Sequence, residues 1–126
     1  MKGGLNMGKK ILFADDEPDI LTVALFRLKE AGYEVVTAVN GKEVLDLLKD
    51  GHFDLLLLDL RLPVINGFEI CKKIRSDERL KHIPVIIFSA SVDKLMLGAK
   101  ECGASDCLAK PFESEQLLDK VKKVIG

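Results

Sequence analysis

Four consecutive leucines, Leu55 to Leu58, framed by Phe53-Asp54 and Asp59, constrain the fold more than any other stretch of this chain. Such a run cannot alternate between a wet and a dry face, so a segment this short reads as a strand buried on both sides, as in the middle of a parallel sheet. The strand closes on a carboxylate. An unpaired carboxylate in the core is strongly disfavoured, so Asp59 is expected at the C-terminal end, where the strand emerges and where open α/β sheets carry their chemistry. Asp is also a common turn residue, and the strand alone leaves open whether Asp59 serves a site or merely begins the turn towards Pro63.

A sheet of this kind needs helices on both faces, and 126 residues supply one domain with an ordinary core and no room for a second. With 48% apolar and 31% charged residues, the composition is that of a soluble globular protein. A net charge of -1 gives no general attraction to nucleic acid or to an anionic membrane. The longest apolar runs are strand-sized, far short of the roughly 20 residues that span a bilayer. Lys9-Lys10 is followed by only four apolar residues before an acidic pair, which is no secretory signal. Cys71, Cys102 and Cys107 are an odd set without CxxC spacing, which argues against a disulfide framework and a zinc site and favours reduced thiols in the cytoplasm. Cys71 falls on a helical apolar face as a small core residue.

Residues 1–8 contain three glycines and no periodicity, and are expected to form a flexible extension ahead of a single domain over residues 9–126. Lys9 to Asp15 reads as a first strand that runs apolar into Asp15-Asp16. Pro18 suits the first turn of a helix; Ile20, Leu21, Ala24, Leu25 and Leu28 share one face of it, and Gly32 caps it. Tyr33 to Val39 is a second strand, Asn40-Gly41 opens a second helix, and Gly51 closes that helix before the leucine strand. Phe68, Cys71 and Ile74 mark a third helix. Pro84 leads a fourth strand ending at Ser89, and a fourth helix follows to Cys102, weakened by Gly98 and capped by Gly103. Asp106 to Ala109 is a short fifth strand that delivers Lys110-Pro111, and Leu117, Leu118, Val121, Val124 and Ile125 form the apolar face of a last helix.

Five strand-then-helix units joined by short loops predict a doubly wound α/β fold with a parallel sheet, flavodoxin-like, in strand order 2-1-3-4-5. In that order Asp15-Asp16, Asp59, Ser89 and Lys110 converge on one rim. That convergence favours a site over a set of turns. Two like charges about 4 Å apart repel by roughly 4 kcal/mol at an effective dielectric near 20, so three clustered carboxylates need a cation, and Lys110 balances only one of them. An all-oxygen donor set suits Mg²⁺. A metal, a lysine and a hydroxyl around one carboxylate make a phosphoryl-transfer site: Asp59 as nucleophile, Mg²⁺ and Lys110 neutralising the transferring oxygens, and Ser89 donating a hydrogen bond. The chain has no GxxxxGK[ST] loop, so the donor is not expected to be ATP bound here.

With these residues in place, the chain from Lys9 to Gly126 closely resembles the receiver domain of two-component response regulators, of the chemotaxis-regulator type. The resemblance rests on Asp15-Asp16, Asp59 followed by Pro63 and Gly67, Ser89-Ala90, and Gly103-Ala104 leading to Lys110-Pro111-Phe112. It implies that Asp59 takes phosphate from a phosphohistidine on a sensor histidine kinase or histidine phosphotransfer protein, or from acetyl phosphate. It also implies that Asp16, Asp59 and the backbone carbonyl of Arg61 ligate Mg²⁺, that Asp15 reaches the ion through water, and that the Lys110-Pro111 bond is cis. The acyl phosphate then switches a surface read by a downstream effector or output domain, and the same likeness is compatible with a phosphorylation-dependent dimer through the fourth helix, fifth strand and fifth helix. Arg61 and Ser91 resemble the positions that tune the lifetime of the acyl phosphate.

One departure stands out: the family usually has an aromatic residue three positions before the lysine, and here that residue is Cys107. A thiol is too small to act as a rotating ring, so the output is expected to change through the fourth helix. Leu95, Met96 and Leu97 are adjacent there and cannot all face inward. The basic residues Lys72, Lys73, Arg75, Arg79, Lys81, Lys120, Lys122 and Lys123 are interleaved with acids, and the chain ends with the fifth helix, so no nucleic-acid contact is expected. Two rival readings fit the acidic rim less well. A Mg²⁺-dependent phosphohydrolase using an aspartyl phosphate commonly has a second Asp two residues past the nucleophile, where this chain has Arg61. A flavin phosphate would be repelled by Asp15-Asp16-Glu17.

Overall fold

The computed structural model describes residues 8–126, with residues 92, 94 and 95 described by their backbone alone. The expected N-terminal extension lies, apart from Gly8, outside the described residues. The elements alternate as β1 (Lys10–Ala14), α1 (Pro18–Glu30), β2 (Glu34–Ala38), α2 (Gly41–Asp50), β3 (Leu55–Asp59), α3 (Gly67–Arg75), β4 (Val85–Ser89), α4 (Val92–Cys102), β5 (Asp106–Ala109) and α5 (Ser114–Ile125). The strands are parallel in the order β2-β1-β3-β4-β5, as expected.

The leucine run lies at the centre of this sheet, with Leu55 to Leu58 each 0% exposed. Successive side chains of a strand point to opposite faces, and the core divides accordingly. Leu56 and Leu58 join Leu12, Val85 and Ile87 under α2 and α3, through Val44, Leu48, Ile70 and Ile74. Leu55 and Leu57 join Ile11, Phe13, Ile86 and Phe88 under α1 and α5, through Ala24, Leu28, Leu117 and Val121. Full burial of each leucine contributes roughly 1.5 to 3 kcal/mol, so this strand holds both layers together.

Local signals set the helix ends. Asn40 caps α2 by accepting from the Glu43 amide at 2.9 Å, and Asn66 with Glu69 forms a capping box on α3. Gly103, at φ 84°, ends α4 in the left-handed region, as expected for a glycine cap. The cap of α1 is Ala31, in the right-handed helical region, and Gly32, expected there, follows it at φ 101°. β1, β2 and β4 are each shorter by one or two residues than the sequence predicts, because the flanking residues already belong to the rims, and β5 has the expected bounds.

The three cysteines are free thiols, with Cys71 and Cys102 buried between α3 and α4. Burial pushes the Cys71 thiol up to about 12, so it behaves as a small hydrophobe. Among the described residues, no helix is long and apolar enough to cross a membrane.

Candidate functional site

The C-terminal rim of the sheet carries the site because four strands end there on polar residues. Asp15 follows the last residue of β1, held by its amide to the Ala38 carbonyl at 3.1 Å. Asp59 is the last residue of β3, and the next amide, Leu60 N–H, donates to the Phe88 carbonyl at 2.9 Å. Ser89 ends β4. The Lys110 amide donates to the Ser89 carbonyl at 2.8 Å, and the Lys110-Pro111 bond is cis.

The burial is deeper than a rim position suggests: Asp15 is 0%, Ser89 1% and Asp59 4% exposed. Lys110 reaches into this setting. Its Nζ lies 3.0 Å from Asp15 Oδ2, 3.0 Å from Glu17 Oε1 and 3.2 Å from Asp59 Oδ2, and 5.4 Å from the centroid of the Phe88 ring, a cation–π distance. Asp15 Oδ1 accepts from the Glu17 amide at 2.9 Å and Asp59 Oδ1 from the Arg61 amide at 3.3 Å. Asp15 Oδ2 is buried beside the lysine without an aligned hydrogen bond.

The electrostatics follow from this crowding. Burial raises the Asp15 carboxyl above its ordinary 3.8, and the Asp59 charge adds to the effect, against the lowering influence of the Glu17 amide and Lys110. Burial alone would lower the Lys110 ammonium, but its contacts with Asp15, Glu17 and Asp59 outweigh that and hold it at about 12. Oxygens of Asp15, Glu17 and Asp59 all lie within 4.8 Å of one another. One ammonium against three carboxylates leaves negative charge in excess. That excess, on an all-oxygen set of clustered carboxylates, fits a small divalent cation.

The structure therefore brings together Asp15, Asp59 and Lys110 from the expected set. Exposed Asp16 and Arg61 line the open cleft over Asp59 together with Glu17, Ala90 and Lys110. Ser89 Oγ accepts from the Ser91 amide at 3.1 Å, which ties it to the loop entering α4. Glu17 is the residue that the sequence reading passed over as a donor. Its signal was the acidic run 15–17, but only the turn into α1 folds the third acid back onto Lys110.

A family model described as the response regulator receiver domain matches residues 11–122. The alkaline phosphatase synthesis transcriptional regulatory protein PhoP of Bacillus subtilis is 36% identical over 121 residues, which are 94% of this chain and 49% of that protein, so the chain spans about half of that relative's length. The chemotaxis response regulator CheY4 of Vibrio cholerae is 35% identical, with a TM-score of 0.87 over 94% of this chain and 99% of that one. The receiver domain of a sensor histidine kinase of Pseudomonas aeruginosa, solved with a magnesium ion coordinated in its active site cleft, is 31% identical, with a TM-score of 0.83 over 94% of this chain and 98% of that one.

Proposed function

The chain belongs to the response regulator receiver domain family, whose members act as phosphorylation switches rather than classical enzymes, and from this premise we propose that Asp59 is the phosphoacceptor. The observation that carries this reading is the ammonium of Lys110 held between Asp15 and Asp59 at 3.0 and 3.2 Å. A carboxylate oxygen of Asp59 attacks the phosphorus of a phosphohistidine. The P–O bond forms as the P–N bond breaks, the imidazole leaves with the electron pair, and Asp59 becomes an acyl phosphate. Lys110 neutralises one transferring oxygen, and the Ser89 hydroxyl turns to donate to another.

A bound Mg²⁺ would supply the remaining charge neutralisation, held by Asp59, the acids Asp15, Asp16 and Glu17, and the backbone carbonyl of Arg61. The phosphoryl donor is a sensor histidine kinase or histidine phosphotransfer protein in the cytoplasm, a reading supported by the likeness to the receiver domain of a histidine kinase. The receiver unit runs over residues 9–126, and its acyl phosphate biases a surface read by a downstream effector or output domain. Met96 and Leu97, 63% and 65% exposed on α4, support a phosphorylation-dependent contact there, including a dimer through α4, β5 and α5.

Three of the basic residues are engaged within the fold: Arg75 donates to main-chain carbonyls of Lys81, Ile83 and Gly103, Arg79 to those at the end of α2, and Lys120 pairs with Asp106. That supports a protein partner over direct nucleic-acid contact by this chain. Incubation with a phosphorylated histidine phosphotransfer protein tests the proposal: phosphate is expected to pass to the wild type and not to Asp59→Asn. Equal transfer to both would exclude Asp59 as the acceptor.

A further inference from the structure

Gly98 sits in the middle of α4, where glycine costs about 1 kcal/mol relative to alanine. The reason for its presence is Phe68. A Cβ built on Gly98 would fall inside the van der Waals envelope of the Phe68 ring, so the ring occupies a notch that only glycine leaves open. Phe68 is half-buried, the second residue of α3, and it packs against the same core cluster as Cys107.

The other side of Phe68 leads straight to the phosphoacceptor. Gly67 opens α3 with its amide on the Leu60 carbonyl at 2.9 Å. A Cβ on Gly67 would stand 2.8 Å from the Asp59 carbonyl oxygen and 3.1 Å from Leu60 Cα. The start of α3 is thus pressed onto the peptide of Asp59 itself. A continuous packed path runs from Asp59 through Gly67 and Phe68 to Gly98. The N-terminal end of α4 has its own tie, the Ser91 amide donating to Ser89 Oγ at 3.1 Å.

We propose that the Phe68 ring seated on Gly98 is the coupling element of the switch: it transmits displacement of the Asp59 loop to α4, in a chain whose residue 107 is too small to do so by rotating a ring. The inference rests on Asp59 as phosphoacceptor. Phosphorylation adds charge and bulk beside the Asp59 peptide and draws the Ser89 hydroxyl away from the Ser91 amide. α4 then loses its N-terminal tie while α3 pushes on its middle, so the helix pivots about residue 98. Packed contacts of this kind pass from one arrangement to another rather than deforming continuously, and contiguous packing is what carries coupling between the two places.

The test compares wild type with Phe68→Ala, Phe68→Leu, Gly98→Ala and the pair Phe68→Leu/Gly98→Ala, each with acetyl phosphate and Mg²⁺. Intact mass reports phosphorylation, and backbone amide chemical shifts of residues 92–102 report the response of α4. All variants are expected to take up the phosphoryl group. Phe68→Ala and Gly98→Ala are expected to lose the shift changes over residues 96–102 while keeping those at Ser89 to Ser91, and the paired substitution is expected to recover them by restoring the fit. Phe68→Leu keeps an apolar side chain at the site and is expected to show a reduced response, which decides the matter should Phe68→Ala fail to fold. A phosphorylated, folded Phe68→Ala or Phe68→Leu with the full wild-type response in α4 would overturn the proposal. An adduct of equal yield in Asp59→Asn would instead overturn the reading of Asp59.

Discussion

Replacing Lys110 by alanine removes the ammonium that faces Asp15 and Asp59, and the expected cost follows from three distances. At 3.0 and 3.2 Å, and at an effective dielectric near 20, each attraction amounts to about 5 kcal/mol. Carboxylate oxygens within 4.8 Å of one another repel by at least about 3.5 kcal/mol per pair on the same scale. Glu17 is 60% exposed in its side chain, so solvent screens its share. The variant does not have to bear the whole loss, because a proton on Asp15 is the easier escape. From the ordinary 3.8, holding that proton at pH 7 costs about 4 kcal/mol, and at pH 5 about 1.5 kcal/mol. The penalty is therefore capped near about 4 kcal/mol at neutral pH.

The pH dependence has a definite sign. Where folded Lys110→Ala keeps a proton that its unfolded chain has released, stability falls as pH rises, by about 1.4 kcal/mol per pH unit. Urea denaturation followed by circular dichroism at pH 5 and pH 7 should show a small deficit against wild type at the lower pH and a large one at the higher. Millimolar Mg²⁺ should remove much of the deficit at pH 7, since a divalent cation replaces the missing charge. A deficit equal at both pH values and indifferent to Mg²⁺ would refute the reasoning and reduce Lys110 to packing on Phe88.

Two further variants address the same account. Asp15 has a folded carboxyl raised by burial, so its charge costs stability at every pH above its ordinary range, and that cost disappears as pH falls. Asp15→Asn should therefore raise the Mg²⁺-free stability at pH 7 and weaken the response of stability to added Mg²⁺, both read by thermal unfolding. Arg75 donates to three main-chain carbonyls at 2.9, 3.2 and 2.8 Å; Arg75→Ala should cost about 2 to 4 kcal/mol. Arg75→Lys should recover little of that loss, since an ammonium lacks the planar fork that reaches all three. Wild-type stability in either Arg75 variant, measured by urea denaturation, would show that these bonds contribute nothing.

The fold was legible in the sequence wherever one residue's neighbours along the chain decide its surroundings. Leu55 to Leu58 could only be a strand covered on both faces, and Asp15, Asp59, Ser89 and Lys110 each stand where a strand ends, so the strand order alone brought them together. What stayed hidden depends on contacts between distant segments. Gly98 read as a flaw in a helix until the Phe68 ring, thirty residues earlier, filled the space that it leaves. Glu17 read as one more acid of a run until the turn into α1 set it 3.0 Å from Lys110. Arg75 read as one of several basic residues interleaved with acids, although its guanidinium donates to the main-chain carbonyls of Lys81, Ile83 and Gly103. Val64, a β-branched residue at φ 74° in the loop after Asp59, carries no local mark of its left-handed backbone.

The most direct measurement is the intact mass of the protein after incubation with acetyl phosphate, with and without Mg²⁺, with Asp59→Asn as the comparison. A single phosphoryl adduct that requires Mg²⁺ and is absent from Asp59→Asn is the predicted result. An adduct of equal yield in Asp59→Asn, or one formed equally well after chelation of the metal, would contradict it.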